Sequence, residues 1–195
     1  MLKAVRDKAD KTWTWFKKTL VFMSCWGLVF SLVTIGELRV GFDYDDTIVF
    51  STPAFAKAFK SAHQPFSPGF WTVVNQSYDV EERKLLPNVL AWTFRILGFR
   101  VSIISARPSY GGEALQKEWR YLAHDFIFSN GSTNKHRYLT KGNYVLYFGD
   151  SDSDILEGRK AKVLSFRVKR GSKSSYKEDY HPGALREIVI PFTEF

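Results

Sequence analysis

A chain of 195 residues has room for one compact domain rather than two. Apolar residues make up 45% of the sequence and charged residues 25%, which excludes a disordered chain. The formal net charge is +8, but residues 1–18 carry half of it, so the charge does not indicate a nucleic-acid polymer as the partner. A single cysteine, Cys25, excludes an intrachain disulfide and a thiolate metal cluster.

The N-terminal segment, residues 1–36, joins a basic stretch to an apolar one. Residues 19–36 contain no charged side chain and directly follow Lys17 and Lys18. A helix of about 20 mostly apolar residues can span a membrane, and basic residues on its N-terminal side favour a cytoplasmic N-terminus. Three interpretations stay open: an uncleaved membrane anchor, a cleaved signal peptide, and a helix packed into the core of a soluble protein. The first two predict a periplasmic or other extracytoplasmic location, and an anchor would contact the membrane through residues 19–36.

Strands and helices alternate along the rest of the chain, residues 37–195, which we interpret as one domain. Short apolar runs that are typical of buried strands are followed by segments with helical patterns. The predicted strands are 38–42, 100–105, 125–129, 144–149, 163–168 and 187–191. The predicted helices are 81–97, 111–123 and 153–161, and the stretch 51–100 as a whole is predicted to be helical or irregular. This alternation predicts an α/β fold with a doubly wound, mostly parallel sheet.

Polar side chains cluster at the ends of three predicted strands. The segments are 43–47 (DYDDT), 105–107 (SAR) and 150–154 (DSDSD). Ligands of parallel sheets bind where the carboxyl ends of the strands meet, so these side chains should converge. Crowded carboxylates need a cation to offset their repulsion, and ligands that are all oxygen atoms favour Mg²⁺. Together with Arg107 and a nearby lysine, such a site would suit a phosphoryl group.

The segment GFDYDDTIVFSTPAF, residues 41–55, resembles a known motif. Phosphatases of the haloacid dehalogenase (HAD) type have Asp-x-Asp-x-Thr after a hydrophobic strand. The class B bacterial acid phosphatases extend this motif to Phe-Asp-x-Asp-Asp-Thr followed by Phe-Ser-Ser-Pro-x-Phe. Further matches to the class B pattern follow in the same order: Phe70-Trp71, Ser105-Ala106-Arg107 in place of the usual Thr-Gly-Arg, Lys135, YFGDSDSDI at 147–155, and Ser175-Tyr176-Lys177. The resemblance covers about residues 38–195.

This resemblance implies a Mg²⁺-dependent acid phosphatase that hydrolyses small phosphomonoesters, aryl phosphates and nucleoside monophosphates, through an aspartyl-phosphate intermediate. Asp43 would be the nucleophile and Asp45 the general acid and base. Asp43, the backbone carbonyl of Asp45 and Asp150 would hold Mg²⁺. Asp154 and Thr47 would not bind the metal themselves but would contact and orient the residues that do.

The same resemblance assigns the contacts with the substrate. Ser105, Arg107 and Lys135 would hold the phosphate oxygens. Residues 51–97 would form a small helical cap. The leaving group would lie against three aromatic side chains, Phe55, Trp71 and Tyr176. For the first two of these, an ordinary position in the core stays open as well.

Two other functions stay open for the sequence. One is a phosphotransferase, and the other is a phosphate-binding or membrane-tethered interaction protein that has lost turnover. The presence of Asp43, Asp45, Lys135 and Asp150 together argues against a loss of turnover. A homo-oligomer, either a dimer or a tetramer, also stays open.

Overall fold

The computed structural model describes residues 2–175 and 179–195, which form two compact units. The first unit ends at Glu37 and consists of one helix, α1 (Leu2–Glu37). Its segment Trp13–Glu37 is long and apolar enough to cross a membrane, with a mean hydropathy of 1.9 in its most apolar stretch, none of which is buried. A membrane anchor and a signal sequence both meet this criterion, whereas the core helix of a soluble protein would be mostly buried.

The described residues of the second unit, Leu38–Phe195, form eight strands and six α-helices. In chain order the strands are β1 (Arg39–Phe42), β2 (Val49–Phe50), β3 (Glu82–Arg83), β4 (Arg100–Ser105), β5 (Asp125–Phe128), β6 (Tyr144–Gly149), β7 (Leu164–Val168) and β8 (Ile188–Ile190). The helices are α2 (Thr52–Phe59), α3 (Pro68–Gln76), α4 (Leu85–Ile96), α5 (Glu113–Glu118), α6 (Lys135–Lys141) and α7 (Asp152–Lys160).

Six of the strands form one parallel sheet in the order β5-β4-β1-β6-β7-β8. β1 lies between β4 and β6, and the chain crosses from one side of β1 to the other after β5. The carboxyl ends of β1, β4 and β6 therefore border the crevice in which sheets of this kind bind their ligands. This topology confirms the predicted doubly wound α/β fold. The other two strands, β2 and β3, form a small antiparallel pair.

The central strands are covered on both faces. Every residue of β1 after Arg39 and every residue of β4 after Arg100 is buried. Phe42 of β1 stacks on Phe148 of β6 with ring centroids 4.6 Å apart, and Phe148 stacks in turn on Phe166 of β7. Burial on both faces explains why these strands are continuous apolar runs rather than alternating ones.

The helices α2 and α3 pack on each other around the buried Phe70 and Val74, and we call residues 52–76 the cap. Asn75, at the end of α3, is fully buried and donates from Nδ2 to the carbonyl oxygens of Pro108 (2.9 Å) and Tyr110 (2.8 Å). These two hydrogen bonds tie the cap to the loop that follows β4.

Two predicted helices differ in extent from the observed ones, and one observed helix was not predicted. The helix predicted at 81–97 begins only at Leu85, because Lys84 is extended (φ −80°, ψ 129°) and β3 pairs with β2 just before it. The helix predicted at 111–123 is the short α5, followed by a 3-10 turn at Trp119–Tyr121. Helix α6 was not among the predicted elements.

A buried lysine, Lys84, joins three segments at the start of α4. Its side chain donates from Nζ to the carbonyl oxygens of Asp46 (2.8 Å) and Lys169 (2.6 Å). Burial lowers the pKa of Lys84 to about 8, although the nearby carboxylates of Asp150 and Asp46 oppose this shift. The loop after β1, the end of β7 and the start of α4 are thereby held together by one ammonium group.

We predict that the stability contributed by Lys84 rises with pH above pH 8. The folded protein releases this proton near pH 8, whereas the unfolded chain keeps it to about pH 10.4, so the unfolded state binds more protons between these values. The free energy of unfolding of the wild type relative to Lys84→Met should increase by about 2 kcal/mol from pH 7 to pH 10. Denaturant unfolding measures this difference. Lys57→Met, at an exposed position of α2, controls for the loss of a lysine, and a difference independent of pH would contradict the prediction.

Candidate active site

The loop after β1 carries the first acidic group of the site. Asp43 is buried, and its backbone N–H donates to the carbonyl oxygen of Phe148 on β6 (2.8 Å). The chain then turns, because the carbonyl oxygen of Tyr44 accepts from Ile48 (3.1 Å). Asp46 lies within this turn in the left-handed region (φ 53°), a conformation that Asp tolerates better than most residues.

Asp43, Asp150 and Asp154 form a buried acidic cluster, with one oxygen of each within 4.8 Å of the others. Lys135, at the start of α6, lies among them: its ammonium donates to Asp43 Oδ1 and to Asp154 Oδ1 (2.7 Å). Burial raises the pKa of Asp43 well above its ordinary value, and the charge of Lys135 opposes this shift. Burial by itself lowers the pKa of the Lys135 ammonium. The carboxylates of Asp154 and Asp43 outweigh burial and raise this pKa.

The three carboxylates differ in what already binds them. Both oxygens of Asp154 accept hydrogen bonds, from Lys135 and Tyr147 at Oδ1 and from Ser151 at Oδ2. Burial raises the pKa of Asp154, but these donors outweigh burial and lower it. Asp154 therefore holds the other groups of the site in place while its own oxygens are occupied.

Asp43 and Asp150 each keep one oxygen with only a weak partner. Thr47 Oγ1 lies 3.4 Å from Asp43 Oδ2 and 3.2 Å from Asp150 Oδ1. The other oxygen of Asp150 accepts from Arg170 Nε. Two such oxygens from buried carboxylates are the ligand type that hard divalent cations prefer. The residues present therefore fit a divalent cation between the ends of β1 and β6.

Asp152 lies apart from this acidic cluster. Its carboxylate accepts from Arg167 Nη2 (2.6 Å), from the backbone N–H of His181 and from the ring of His181. Arg167 is fully buried and also donates from Nη1 to the backbone carbonyl oxygen of Asp150 (2.7 Å). Asp152 thus belongs to a set of contacts that supports the backbone of Asp150.

Arg107, two residues after the end of β4, contacts Asp45 in the segment 43–47. Its Nε lies 3.1 Å from both oxygens of Asp45, and its Nη2 donates to Asp45 Oδ1 (2.6 Å) and to Glu81 Oε1 (2.5 Å). Burial lowers the pKa of Arg107, but these two carboxylates outweigh it and raise the pKa. Ser105 Oγ accepts from the backbone N–H of Arg107 (3.2 Å) and lies 3.5 Å from Asp45 Oδ2.

One cavity of about 500 Å³ is lined by Asp43, Asp45, Arg107, Lys135, Asp150 and Asp154, among others. Ser105 and Thr47 are fully buried and are not part of its lining. Its polar end includes Asp43, Asp45, Arg107, Lys135 and Asp150, and its apolar end is formed by four aromatic side chains of the cap, Phe55, Phe59, Phe66 and Trp71. Phe55 and Trp71 meet edge to face with ring centroids 5.9 Å apart. The structure therefore places these two predicted aromatic residues at the cavity. Tyr176, the third, lies outside the described residues.

Four side chains near the site were not predicted as site residues from the sequence. Glu81 was predicted as the first residue of a helix, and Phe59 and Phe66 belong to no recognised motif. Arg170 follows the end of β7, so the rule that strand ends converge could have identified it once β7 was placed beside β6. The contact of Glu81 with Arg107 had no signal in the local sequence.

Comparison with known proteins places this geometry in a family. No protein-family model matches the sequence. The class B acid phosphatase of Citrobacter rodentium (strain ICC168) is 30% identical over 186 residues, which cover 85% of this chain and 76% of that protein. The class B acid phosphatase of Klebsiella pneumoniae (strain 342) is 30% identical over 185 residues, with the same coverage.

Solved structures share the fold at lower sequence identity. A predicted phosphoglycolate phosphatase from Haemophilus somnus 129PT has a TM-score of 0.54 at 14% identity, covering 80% of this chain and 95% of that one. CbbY from Rhodobacter sphaeroides, solved in complex with phosphate, has a TM-score of 0.56 at 12% identity, with the same coverage. These structures show the fold alone. On the similarity to its sequence relatives, the chain belongs to the class B acid phosphatases, phosphoric monoester hydrolases of the HAD superfamily.

Proposed function

We propose that this acid phosphatase hydrolyses small phosphomonoesters with Mg²⁺ as its cofactor, through an aspartyl-phosphate formed on Asp43. The observation that carries the proposal is the buried cluster of Asp43, Asp150 and Asp154 in a cavity that Arg107 and Lys135 also line. Oxygen atoms that can hold a cation and cationic side chains that can hold a phosphate converge there.

Asp43 would be the nucleophile and Asp45 the general acid and base. A carboxylate oxygen of Asp43 forms a bond to phosphorus as the ester bond breaks, and Asp45 gives its proton to the leaving oxygen. Asp45 then takes a proton from a water molecule whose oxygen attacks phosphorus, and the bond from Asp43 to phosphorus breaks to release phosphate. The contact of Asp43 with Lys135 supports these roles, because the ammonium favours the charged carboxylate that a nucleophile needs.

Mg²⁺ would be held by Asp43, the backbone carbonyl of Asp45, and Asp150. When bound, it supplies positive charge that offsets the carboxylates and the transferring phosphoryl group. The weakly partnered oxygens Asp43 Oδ2 and Asp150 Oδ1 support this assignment. Asp154 would act through Lys135, whose ammonium it keeps beside Asp43, and Thr47 would orient the two ligand carboxylates.

The phosphate oxygens would be held by Ser105, Arg107 and Lys135. Arg107 has one guanidinium nitrogen, Nη1, with no hydrogen-bond partner among the described residues. A buried unpartnered N–H group is costly, so a ligand that accepts from it is favoured. A phosphate oxygen in the cavity would be such a ligand.

The leaving group would lie against the aromatic end of the cavity. Phe55 and Trp71 line it, together with Phe59 and Phe66. Aromatic faces stack on aryl rings and nucleobases, so aryl phosphates and nucleoside monophosphates are the proposed substrates. The phosphate contacts are the same for any alcohol, which favours a broad substrate range.

We also propose a periplasmic or other extracytoplasmic location, with α1 as a membrane anchor or signal sequence. Its apolar segment Trp13–Glu37 supports this location, as does the basic pair Lys17 and Lys18 on the N-terminal side of the uncharged residues 19–36.

The nucleophile is tested by Asp43→Asn. We expect kcat for p-nitrophenyl phosphate to fall at least about 1000-fold, because an amide cannot form the acyl phosphate. Asp45→Asn should instead accumulate a phosphoryl group on the peptide that contains Asp43, which mass spectrometry of acid-quenched enzyme detects. Asp79→Asn, at an exposed acid between α3 and β3, should keep wild-type activity. More than a few per cent of residual activity in Asp43→Asn would reject Asp43 as the nucleophile.

The metal site is tested by chelation and by thermal unfolding. EDTA should abolish hydrolysis and Mg²⁺ should restore it. A hundredfold excess of Mg²⁺ over its Kd should stabilise the folded protein by about 2.7 kcal/mol, which raises Tm by several degrees. Asp150→Asn should lose most of this rise in Tm, while Asp79→Asn should keep it. Full activity after exhaustive chelation would show that the carboxylates hold no essential metal.

The leaving-group pocket is tested by Trp71→Ala. Stacking of an aromatic ring is worth about 1–3 kcal/mol, or roughly 5- to 150-fold in kcat/KM. The kcat/KM of the variant should fall by this factor for p-nitrophenyl phosphate and for a nucleoside monophosphate. Its kcat/KM for glycerol phosphate should stay at the wild-type value. Trp92→Ala, a partly exposed aromatic of α4 that does not line the cavity, is the matched control. An unchanged preference in Trp71→Ala would place Trp71 outside the substrate contacts.

A further inference from the structure

A buried carboxylate, Glu81, joins the phosphate end of the cavity to the protein core. Its side chain is 1% exposed, and its Oε1 accepts from Arg107 Nη2 at 2.5 Å. Its Oε2 accepts from the hydroxyl of Tyr44, and that hydroxyl accepts from Trp119 Nε1 at 3.2 Å. A continuous chain of hydrogen bonds therefore runs from Trp119 through Tyr44 and Glu81 to Arg107.

Two carboxylates share the guanidinium of Arg107. Asp45 accepts from Nε and Nη2, and Glu81 accepts from Nη2. The guanidinium carbon also lies 4.8 Å from the ring centre of Tyr44 and 5.4 Å from that of Phe55. Contacts at one edge and with two aromatic rings set the orientation of Arg107 and leave Nη1 as the nitrogen without a partner among the described residues.

We propose that Glu81 is a positioning residue for the phosphate site: it fixes the orientation of the Arg107 guanidinium, so that Nη1 stays available to a phosphate oxygen. The inference rests on the proposed function, since it takes Arg107 as a phosphate ligand. Asp45 already makes a two-pronged pair with Arg107 through Nε and Nη2. Without Glu81, Asp45 is the one carboxylate among the described residues that contacts the guanidinium, so Arg107 can pivot about that pair and Nη1 loses its fixed orientation.

The cost of burying Glu81 supports a role beyond packing. A buried carboxylate loses its hydration, and charged partners must offset that loss. An apolar side chain would fill the same space without this cost. The neighbouring Glu82 has a side chain that is 65% exposed and lies 3.6 Å from the ammonium of Lys173. Two adjacent glutamates therefore differ in burial and partner, which makes Glu82 a matched control.

The test compares Glu81→Gln with Glu82→Gln in the full-length protein with Mg²⁺. Binding of inorganic phosphate is measured by calorimetry and as inhibition of p-nitrophenyl phosphate hydrolysis. In Glu81→Gln we expect the Kd for phosphate and the KM for substrate to rise about 5- to 50-fold, because a neutral amide holds the guanidinium less firmly. The kcat should change less than about threefold, since Asp43 and Asp45 are intact. Glu82→Gln should match the wild type.

Two further variants separate positioning from a general loss of structure. Tyr44→Phe keeps the ring beside Arg107 and removes the hydroxyl that donates to Glu81, so phosphate affinity should fall by a smaller factor, about 2- to 5-fold. In an Arg107→Ala background, Glu81→Gln should cause no further loss of phosphate affinity, because the two residues act as one unit.

An unchanged Kd for phosphate in Glu81→Gln, or the same loss in Glu82→Gln, would overturn the proposal. So would tighter phosphate binding in Glu81→Gln, which would mean that Glu81 acts only as a negative charge opposing the ligand. If Glu81→Gln lowered phosphate affinity as much in the Arg107→Ala background as in the wild type, the proposal would also be overturned. A wild-type protein that binds phosphate but does not hydrolyse p-nitrophenyl phosphate would instead count against the proposed function, and the calorimetric comparison would still test Glu81.

Discussion

Crowding of buried carboxylates is the constraint on which the rest of the site depends. Asp43, Asp150 and Asp154 lie within one small volume because β1 and β6 are neighbouring strands that end at the same edge of the sheet. Like charges so close together repel, and burial strengthens the repulsion. Lys135 spans two of the carboxylates, and Arg170 contacts the third. The cations around the cluster are therefore a condition for the fold as much as part of the site.

A second group of charges follows the same rule at the end of β4. Arg107 is almost fully buried, and its contacts with the carboxylates of Asp45 and Glu81 offset the cost of burying the guanidinium charge. These partners come from the loop after β1 and from the segment before β3, so one guanidinium joins the loop after β1, the end of β4 and the segment that follows α3. The position of Arg107 thus depends on all three segments folding together, and Asn75 fixes the cap to the same loop.

The cavity has two ends with different physical requirements. At the polar end, the proposed phosphate contacts are directional, and the side chains come from the ends of β1, β4 and β6 and from the start of α6. At the aromatic end, the contacts are non-directional, and they come from α2, α3 and the loop between them. This division suits an enzyme that binds one phosphate group and accepts many alcohols. The helix α1 forms a separate compact unit.

The local sequence was enough to predict the alternation of strands and helices, and with it the edge where segments 43–47, 105–107 and 150–154 converge. Apolar runs and their spacing are local properties, and the convergence of parallel strand ends is a general rule. The start of α4 at Leu85 could not be predicted, because β3 becomes extended only by pairing with β2. The partners of each charge, such as Glu81 with Arg107 across 26 positions, were decided by the tertiary structure alone. Such a contact depends on the distance between two side chains in the folded chain, and no periodicity in the sequence reports that distance.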